Sequence, residues 1–152
     1  MKVFPSARVR EIDQYTIEHE PIASIDLMER AATRLNGWYV RHLGIDRKVN
    51  VVAGPGNNGG DALALARMLA ERQYQVDCFV IDLGGKMSKD GLVNLERLQK
   101  QGRVKPVMIR EKSDLPEIKS GDVVVDGIFG SGLSRVAEGF PAEVIDHINR
   151  SG

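Results

Sequence analysis

The chain opens with helical spacing of its apolar residues and then changes to short strand-like runs. Val9, Ile12 and Thr16 recur at spacings of three and four, and a second helix is predicted from the N-cap residue Ser24 to a stop at Gly44. An apolar stripe follows one face of that second helix, and it is either core or a partner surface. The stripe consists of Leu27, Ala31, Leu35, Trp38 and His42.

After residue 48, short runs of apolar residues, without the alternating polar positions of a half-exposed strand, alternate with helical segments. The runs cover residues 49–52, 76–81, 104–109 and 122–126, and the helical segments cover 61–73, 88–101 and 141–149. Strands that alternate with helices predict βαβ units and a parallel sheet covered on both faces. We therefore predict an α/β fold, a Rossmann-like doubly wound and mainly parallel sheet in three αβα layers. Residues 1–46 are the predicted helical extension and 47–152 the core.

The predicted strand order places two unusual loops together. In the common order 3-2-1-4, the first and fourth strands are neighbours, and their carboxyl ends flank the crevice where such sheets bind ligands. Those ends are residues 54–61 and 126–132, the two most unusual stretches of the chain. A helix after the fourth strand should lead to another strand, yet the sequence stops at Gly152. We therefore expect the chain to be part of a longer domain.

The composition of the chain argues against several classes of function. The 21 basic and 21 acidic residues cancel, which argues against a nucleic-acid or membrane-surface partner. The single cysteine, Cys78, excludes a disulfide framework and a cysteine-based zinc site. No apolar run reaches the ~18 residues of a membrane span, and the first ten residues lack a signal-peptide core, so we expect a cytoplasmic protein.

The loop after the first strand matches a dinucleotide-binding pattern. Gly54, Gly56 and Gly59 fit G-x-G-x-x-G between a strand and a helix, and Asp82 ends the next strand where a ribose-binding acid would stand. Glycines in this position leave backbone N–H groups free to approach an anion. The alternative is a tight turn whose glycines serve only geometry.

Three features of this region fit ordinary NAD binding poorly. Asn57 and Asn58 place two amides in the loop, Asp61 places a carboxylate in the predicted first helical turn, and Asp126 adds another at the neighbouring strand end. A carboxylate there would repel a pyrophosphate, whereas these oxygens together suit a hard cation. Each carboxylate considered alone also has a purely structural explanation. Asp61 can cap the helix, and Asp126 can be a strand-end carboxylate whose hydrogen bonds are satisfied within the fold.

The loop after the fourth strand is a second candidate binding segment. Gly130, Ser131 and Gly132 can form a backbone concavity for phosphate, and Ser134 and Arg135 can supply further donors. A plain surface turn is the alternative.

Four sequence blocks make the chain resemble the YjeF N-terminal domain family, the NAD(P)H-hydrate epimerases. They are Val9-Arg10-Glu11-Ile12-Asp13, Leu27-Met28-Glu29-Arg30-Ala31, Val51-Val52-Ala53-Gly54-Pro55-Gly56-Asn57-Asn58-Gly59-Gly60-Asp61 and Asp126-Gly127-Ile128-Phe129-Gly130-Ser131-Gly132-Leu133. The blocks span nearly the whole chain, and the glycine–asparagine block is the most specific. Small departures are Ala32 and Ala62 where the family often has glycine, and Ser131 where it often has threonine.

The resemblance implies a metabolite-repair isomerase. Such enzymes interconvert the R and S hydrates of NADH and NADPH, formed at carbon 6 of the nicotinamide ring, so that a stereospecific dehydratase can restore both. It implies that Asn58 and Asp126 ligate a potassium ion. It also implies contacts to the hydrated dinucleotide from Asn57, Asn58, Gly59, Gly60, Asp61, Gly130, Ser131, Gly132, Leu133, Ser134, Arg135 and Val136.

The resemblance further implies a homodimer through the N-terminal helices, and a dehydratase domain can follow in the intact protein. The family's Asp-x-Pro-Ser-Gly segment, with a binding aspartate and a potassium-ligating serine, is expected beyond Gly152, so we expect this chain alone to be impaired or inactive. Within the chain, Asp61 is our predicted acid/base residue. Two other functions stay open, a conventional NAD-dependent oxidoreductase and a non-catalytic nucleotide-binding or scaffold module of the same fold.

Overall fold

The computed structural model describes residues 4–134 and 136–151 as one parallel sheet with helices on both faces. The elements are α1 Ser6–His19, α2 Ser24–His42, β1 Val49–Ala53, α3 Asn57–Glu71, β2 Val76–Ile81, α4 Lys89–Gln101, β3 Val107–Ile109, β4 Val123–Gly127 and α5 Phe140–Arg150. A 3₁₀ turn, Lys112–Asp114, stands between β3 and β4. No helix in the described ranges has the length and apolarity to cross a membrane.

The sheet has the predicted strand order, β3-β2-β1-β4, and every pair is parallel. In the β1–β4 pair, Val52 lies opposite Asp126 and Ala53 opposite Gly127. The prediction that the strand ending at Asp126 lies beside the one ending at Ala53 is therefore confirmed. Parallel pairing brings the two carboxyl ends, and with them both candidate loops, to the same edge of the sheet.

The core has one part on each face of the sheet. All five residues of β1 are buried, as a strand covered on both faces requires. The larger cluster joins β1 and β2 to α3 and includes Leu63, Leu69 and Leu98, while the smaller one packs Ile109, Ile128 and Val144 on the opposite face. α3 is buried on most sides, because it lies between the sheet and the helices α2 and α4.

The face of α2 that is buried is not the apolar stripe predicted from the sequence. Its buried residues are Met28, Ala32, Asn36 and Tyr39, whereas Leu35 and Trp38 of the predicted stripe remain 43% and 49% exposed. Small residues on α3 explain the choice, because a Cβ on Gly60 would lie only 2.8 Å from the Met28 sulfur, and Ala32 packs beside Ala64. The core interpretation of that stripe is therefore wrong within this chain.

Two helix starts differ from the predicted ones. α2 has Ala23 at its N-cap, so Ser24 is the first helical residue and its side chain makes no capping hydrogen bond. α3 begins at Asn57, four residues before the predicted start at Asp61, since the glycines of this segment adopt helical backbone. Asp61 therefore lies in the second turn, and the first turn of α3 contains no acidic residue. The interpretation of Asp61 as a helix cap is wrong.

Candidate active site

The glycine loop and the end of β4 are in direct backbone contact. The Gly54 N–H donates to the Gly127 carbonyl at 3.0 Å. A Cβ on Gly54 would lie 2.0 Å from the carbonyl oxygen of Ile128, and one on Gly59 would lie 1.9 Å from that of Gly54. These two glycines are required by packing alone, so the geometric explanation accounts for them.

Close packing does not explain the glycine at position 56. It is exposed, its φ of −87° is accessible to any residue, and a Cβ there would meet no atom within 4 Å. The loop therefore keeps open space above Gly56, directly before the N-terminus of α3. Backbone that can be approached this closely suits an anionic or bulky ligand.

Asn58 links the two candidate loops. Its amide nitrogen donates to the carbonyl of Phe129 at 2.9 Å, and a Cβ on Gly130 would lie 3.3 Å from the Asn58 Cβ. The amide oxygen is not used in that bond. Asp126 is exposed, and one of its carboxylate oxygens accepts from the Ile128 N–H at 2.9 Å. Each side chain thus retains an oxygen at this edge of the sheet.

These donors fit a hard cation better than a transition metal. An amide oxygen and a carboxylate oxygen are typical ligands of alkali and alkaline-earth ions. Within residues 4–134 and 136–151, no group of three or more His, Cys, Asp or Glu side chains could hold a metal. An ion held by Asn58 and Asp126 would therefore need further oxygen ligands, from backbone, substrate or water.

Asp61 lies in a separate small cavity where α3 meets the N-terminal helices. The cavity has a volume of about 180 Å³ and is lined by Asp13, Ile17, Ser24, Leu27, Met28, Ala31, Asn57, Asp61 and Asp90. Burial raises the pKa of Asp61 to about 6, and the negative charge of Asp13 adds to the increase. A carboxyl group with a pKa near neutrality can both donate and accept a proton at cellular pH.

Asp82 is already engaged within the chain. Its carboxylate accepts from the Gly84 N–H at 2.9 Å and from the Arg110 guanidinium at 2.8 Å. Both hydrogen bonds lower the pKa of Asp82, and the bond from Gly84 has the larger effect. A ribose-binding acid of an NAD site needs a free carboxylate. The arrangement therefore disfavours the conventional oxidoreductase.

The second candidate loop is open to solvent at the same edge. Ser131, Gly132, Leu133 and Ser134 are exposed, as is Val136, and the Leu133 N–H closes a turn onto the Gly130 carbonyl at 3.3 Å. Arg135, the remaining predicted ligand of this loop, lies outside the described residues.

Sequence reasoning missed the acidic neighbours of Asp61. Asp13 comes from α1 and Asp90 from the first turn of α4, far from the glycine loop in sequence. The available signal was the block from Val9 to Asp13, which carried the family resemblance but had no assigned role. The approach of Asp13 on α1 to Asp61 could not be derived from hydrophobic spacing.

Comparisons with known families and with known proteins point to the same family. The family model of the YjeF-related protein N-terminus matches residues 24–152. The chain is 36% identical over 147 residues to the NAD(P)H-hydrate epimerase of Oenococcus oeni, covering 96% of this chain and 67% of the relative. It is 35% identical over 154 residues to the bifunctional NAD(P)H-hydrate repair enzyme Nnr of Thermofilum pendens, covering 100% of this chain and 29% of that enzyme.

A solved structure shares the fold. The yeast protein YNL200c aligns with a TM-score of 0.84 at 23% identity, over 99% of this chain and 66% of that one. This chain thus spans less than a third of the bifunctional relative and about two thirds of the epimerase. A match over residues 24–152, with more than a third of positions identical to a curated epimerase, places this chain in the family of YjeF-related protein N-termini.

Proposed function

We propose that this chain epimerises the R and S hydrates of NADH and NADPH. The observation that carries the proposal is the position of Asp61, a carboxyl group with a pKa of about 6 that lies three residues after Asn58 on α3, in the small cavity between α3 and the N-terminal helices. The names of the relatives specify the substrate class, NAD(P)H hydrates.

The reaction needs a proton donor and a proton acceptor at carbon 6. The ring nitrogen lone pair expels the hydroxyl group, which leaves as water if an acid protonates it. Water then adds to the other face of the ring, and the base that removes its proton is restored to the acid form. One carboxyl group whose pKa is near 6 can serve in both directions, and Asp61 is the residue we propose for it.

Asn58 and Asp126 are the proposed ligands of a potassium ion, through the oxygens that remain outside their hydrogen bonds. When bound, the ion would supply a fixed positive charge that orients an oxygen of the substrate. The exposed loop from Gly130 to Ser134 is the proposed contact for a phosphate of the dinucleotide, with backbone N–H groups as donors.

We also propose that two copies of the chain associate through the N-terminal helices. Leu35 and Trp38 are left exposed on α2, and Ile12 is exposed on α1. The enzyme would act together with a dehydratase that consumes one epimer, either as a separate protein or within one chain.

The test is conversion of the R hydrate to the S hydrate. An S-specific dehydratase couples the reaction, and the recovered absorbance of reduced nicotinamide reports it. Single-turnover conditions, with the chain in excess, allow slow conversion to be detected. Asp61→Asn should reduce the rate about 10²–10⁴-fold, whereas Asp26→Asn, at an exposed acid on α2, should not.

Two results would contradict the proposal. Conversion at an unchanged rate by Asp61→Asn would remove Asp61 from the chemistry. Binding of the hydrates without conversion of either epimer, even over many hours and by the intact protein as well as by this chain, would favour the binding-module alternative.

A further inference from the structure

A larger cavity opens at the carboxyl ends of β2 and β3, next to the candidate active site. Its volume is about 450 Å³, and it is walled by the loop that follows β2, the first turns of α4, Met108 of β3 and Pro55 of the glycine loop. Pro55 is the only wall residue that belongs to the glycine loop. The carboxyl edge of a parallel sheet is where such folds bind their ligands.

The walls of this cavity are mostly apolar and incompletely covered. Leu83 and Leu92 are each 46% exposed and Met108 is 39% exposed, and Met87 and Leu95 line the interior. Large apolar side chains grouped around one concavity indicate a ligand that removes them from water. Methionine sulfurs also make favourable contacts with aromatic rings, so a flat heterocycle suits these walls.

The rim of the cavity is positively charged. Lys86 and Lys89 both line it, and Asp82, the only carboxylate among the described residues of its lining, is bound by Arg110 and Gly84. Neither lysine takes part in an ion pair among the described residues. The two ammonium groups are thus available to an anion on the ligand.

A hydrogen bond joins this cavity to the glycine loop. The Ser88 N–H donates to the carbonyl of Pro55 at 2.8 Å, which fixes the loop after β2 against the residues that precede α3. Neighbouring strands are about 4.8 Å apart, so β2 lies about 10 Å from β4 across the sheet. A ligand of dinucleotide length that has one end over Asn58 can place its other end here.

We infer that this cavity binds the adenosine half of the hydrated dinucleotide, with Lys86 and Lys89 binding its 2′-phosphate. The inference rests on the proposed function and adds a preference for hydrates of NADPH over those of NADH. An NADH site of this fold would offer a free acid to the ribose hydroxyls. Here the acid at that position is bound to Arg110, and lysines stand beside it.

The experiment measures binding of two nucleotides to the full 152-residue chain, without any hydrate. The probes are adenosine 2′,5′-bisphosphate and adenosine 5′-monophosphate, followed by calorimetry and by NMR of the methionine methyl groups. We expect the bisphosphate to bind about tenfold more tightly, because the 2′-phosphate gains charge-assisted hydrogen bonds. The methyl signals of Met87 and Met108 should shift on binding.

Two double variants test the role of the lysines. Lys86→Ala with Lys89→Ala should abolish the preference for the bisphosphate, whereas Lys100→Ala with Lys105→Ala, an equal charge change on exposed lysines elsewhere, should preserve it. Leu92→Gln should weaken both probes, and because Leu92 is half exposed, the fold should be retained.

Equal affinity for the two probes, an unchanged preference in the first double variant, or no binding of either probe at millimolar concentration would overturn the inference. Methyl shifts confined to residues other than Met87 and Met108 would overturn it as well. These outcomes are separable from failure of the proposed function, because nucleotide binding is measured without turnover. If the bisphosphate binds here but neither this chain nor the intact protein converts a hydrate, the epimerase proposal alone is refuted.

Discussion

At the scale of single residues, Asp61 connects function with stability. The burial and the neighbouring Asp13 that bring its pKa to about 6 also make its ionised form unfavourable in the folded chain. A folded-state pKa above the ordinary value of 3.8 means that the folded state holds the proton more tightly than the unfolded state. The side chain therefore costs folding free energy once the pH rises through the interval from about 4 to about 6.

We predict that Asp61→Asn stabilises the chain at pH 7 but not at pH 4. The difference in unfolding free energy should grow between these values and then level off, at about 1–2 kcal/mol after allowance for solvent screening at this partly exposed site. Urea unfolding of both proteins across the pH range measures it. Asp13→Asn should give a smaller gain over the same interval, because it removes only the secondary cause of the raised pKa. A stability difference independent of pH would show that ionisation of Asp61 is not its source.

At the scale of elements, the end of α3 contains a residue in an unfavourable backbone conformation. Gln73 has a φ of +66°, the only positive φ of a non-glycine residue in the described chain. The Gln73 N–H donates to the Ala70 carbonyl at 3.1 Å and the Tyr74 N–H to the Leu69 carbonyl at 3.1 Å. This pair of bonds is a Schellman motif, whose left-handed position favours glycine.

We predict that Gln73→Gly raises the unfolding free energy by about 0.5–1 kcal/mol, since glycine avoids the steric cost of the left-handed region. Chemical denaturation measures the change. Gln75→Gly is the matched control, because Gln75 is exposed, has no positive φ and lies two residues away. There the added freedom of the unfolded chain should lower stability, so equal effects of the two substitutions would contradict the strain at Gln73.

Elements also show how far the sequence could predict the structure. Strand order and the meeting of the two loops followed from apolar runs and βαβ connectivity, which depend on short-range pattern and general rules of handedness. The start of α3 was missed because Gly59 and Gly60 have poor helix propensity, which packing overrides. The buried face of α2 was missed because Met28, Ala32 and Tyr39 lie beside a more hydrophobic stripe, and only their packing against α3 and the main core distinguishes them.

Local sequence pattern likewise predicts only part of the candidate active site. Asn58 and Asp126 could be brought together from the sequence, since Asn58 follows the loop after β1, Asp126 lies near the carboxyl end of β4, and these two strands were predicted neighbours. The presence of Asp13 and Asp90 in the cavity of Asp61 depends on where α1 and α4 lie relative to α3, which no local pattern encodes. The raised pKa of Asp61 was therefore beyond prediction, although the residue itself was chosen.

At the scale of the whole molecule, the exposed faces of α1 and α2 bear on association. We predict a homodimer in solution that Leu35→Glu with Trp38→Glu converts to monomer, because both side chains are about half exposed and charges would oppose their burial between copies. Light scattering coupled to size-exclusion chromatography gives the mass of each protein. The exposed Lys105→Glu is the control for a charge change elsewhere. A monomeric unmodified chain at high concentration would contradict this prediction.

The rate of the proposed reaction is expected to depend on what covers the edge of the described sheet at β4. In the described sheet β4 is an edge strand, and Val123, Val124 and Val125 are only partly buried although β1 beside it is fully covered. The epimerase of Oenococcus oeni is matched over 67% of its length. The resemblance to the family implies a further acid and a potassium-ligating serine outside the segment that this chain contains. We predict that a chimera, with the last third of that epimerase joined after Gly152, converts the R hydrate at least about a hundredfold faster than this chain alone, because it gains a positioned acid/base group.

A matched chimera with its transferred aspartate changed to asparagine separates that chemical contribution from mere coverage of the β4 edge. It should recover stability against urea but little of the rate. If the unmodified chain already equals the first chimera in rate, the groups described around Asn58, Asp61 and Asp126 are sufficient for the reaction, and the family's additional acid is dispensable.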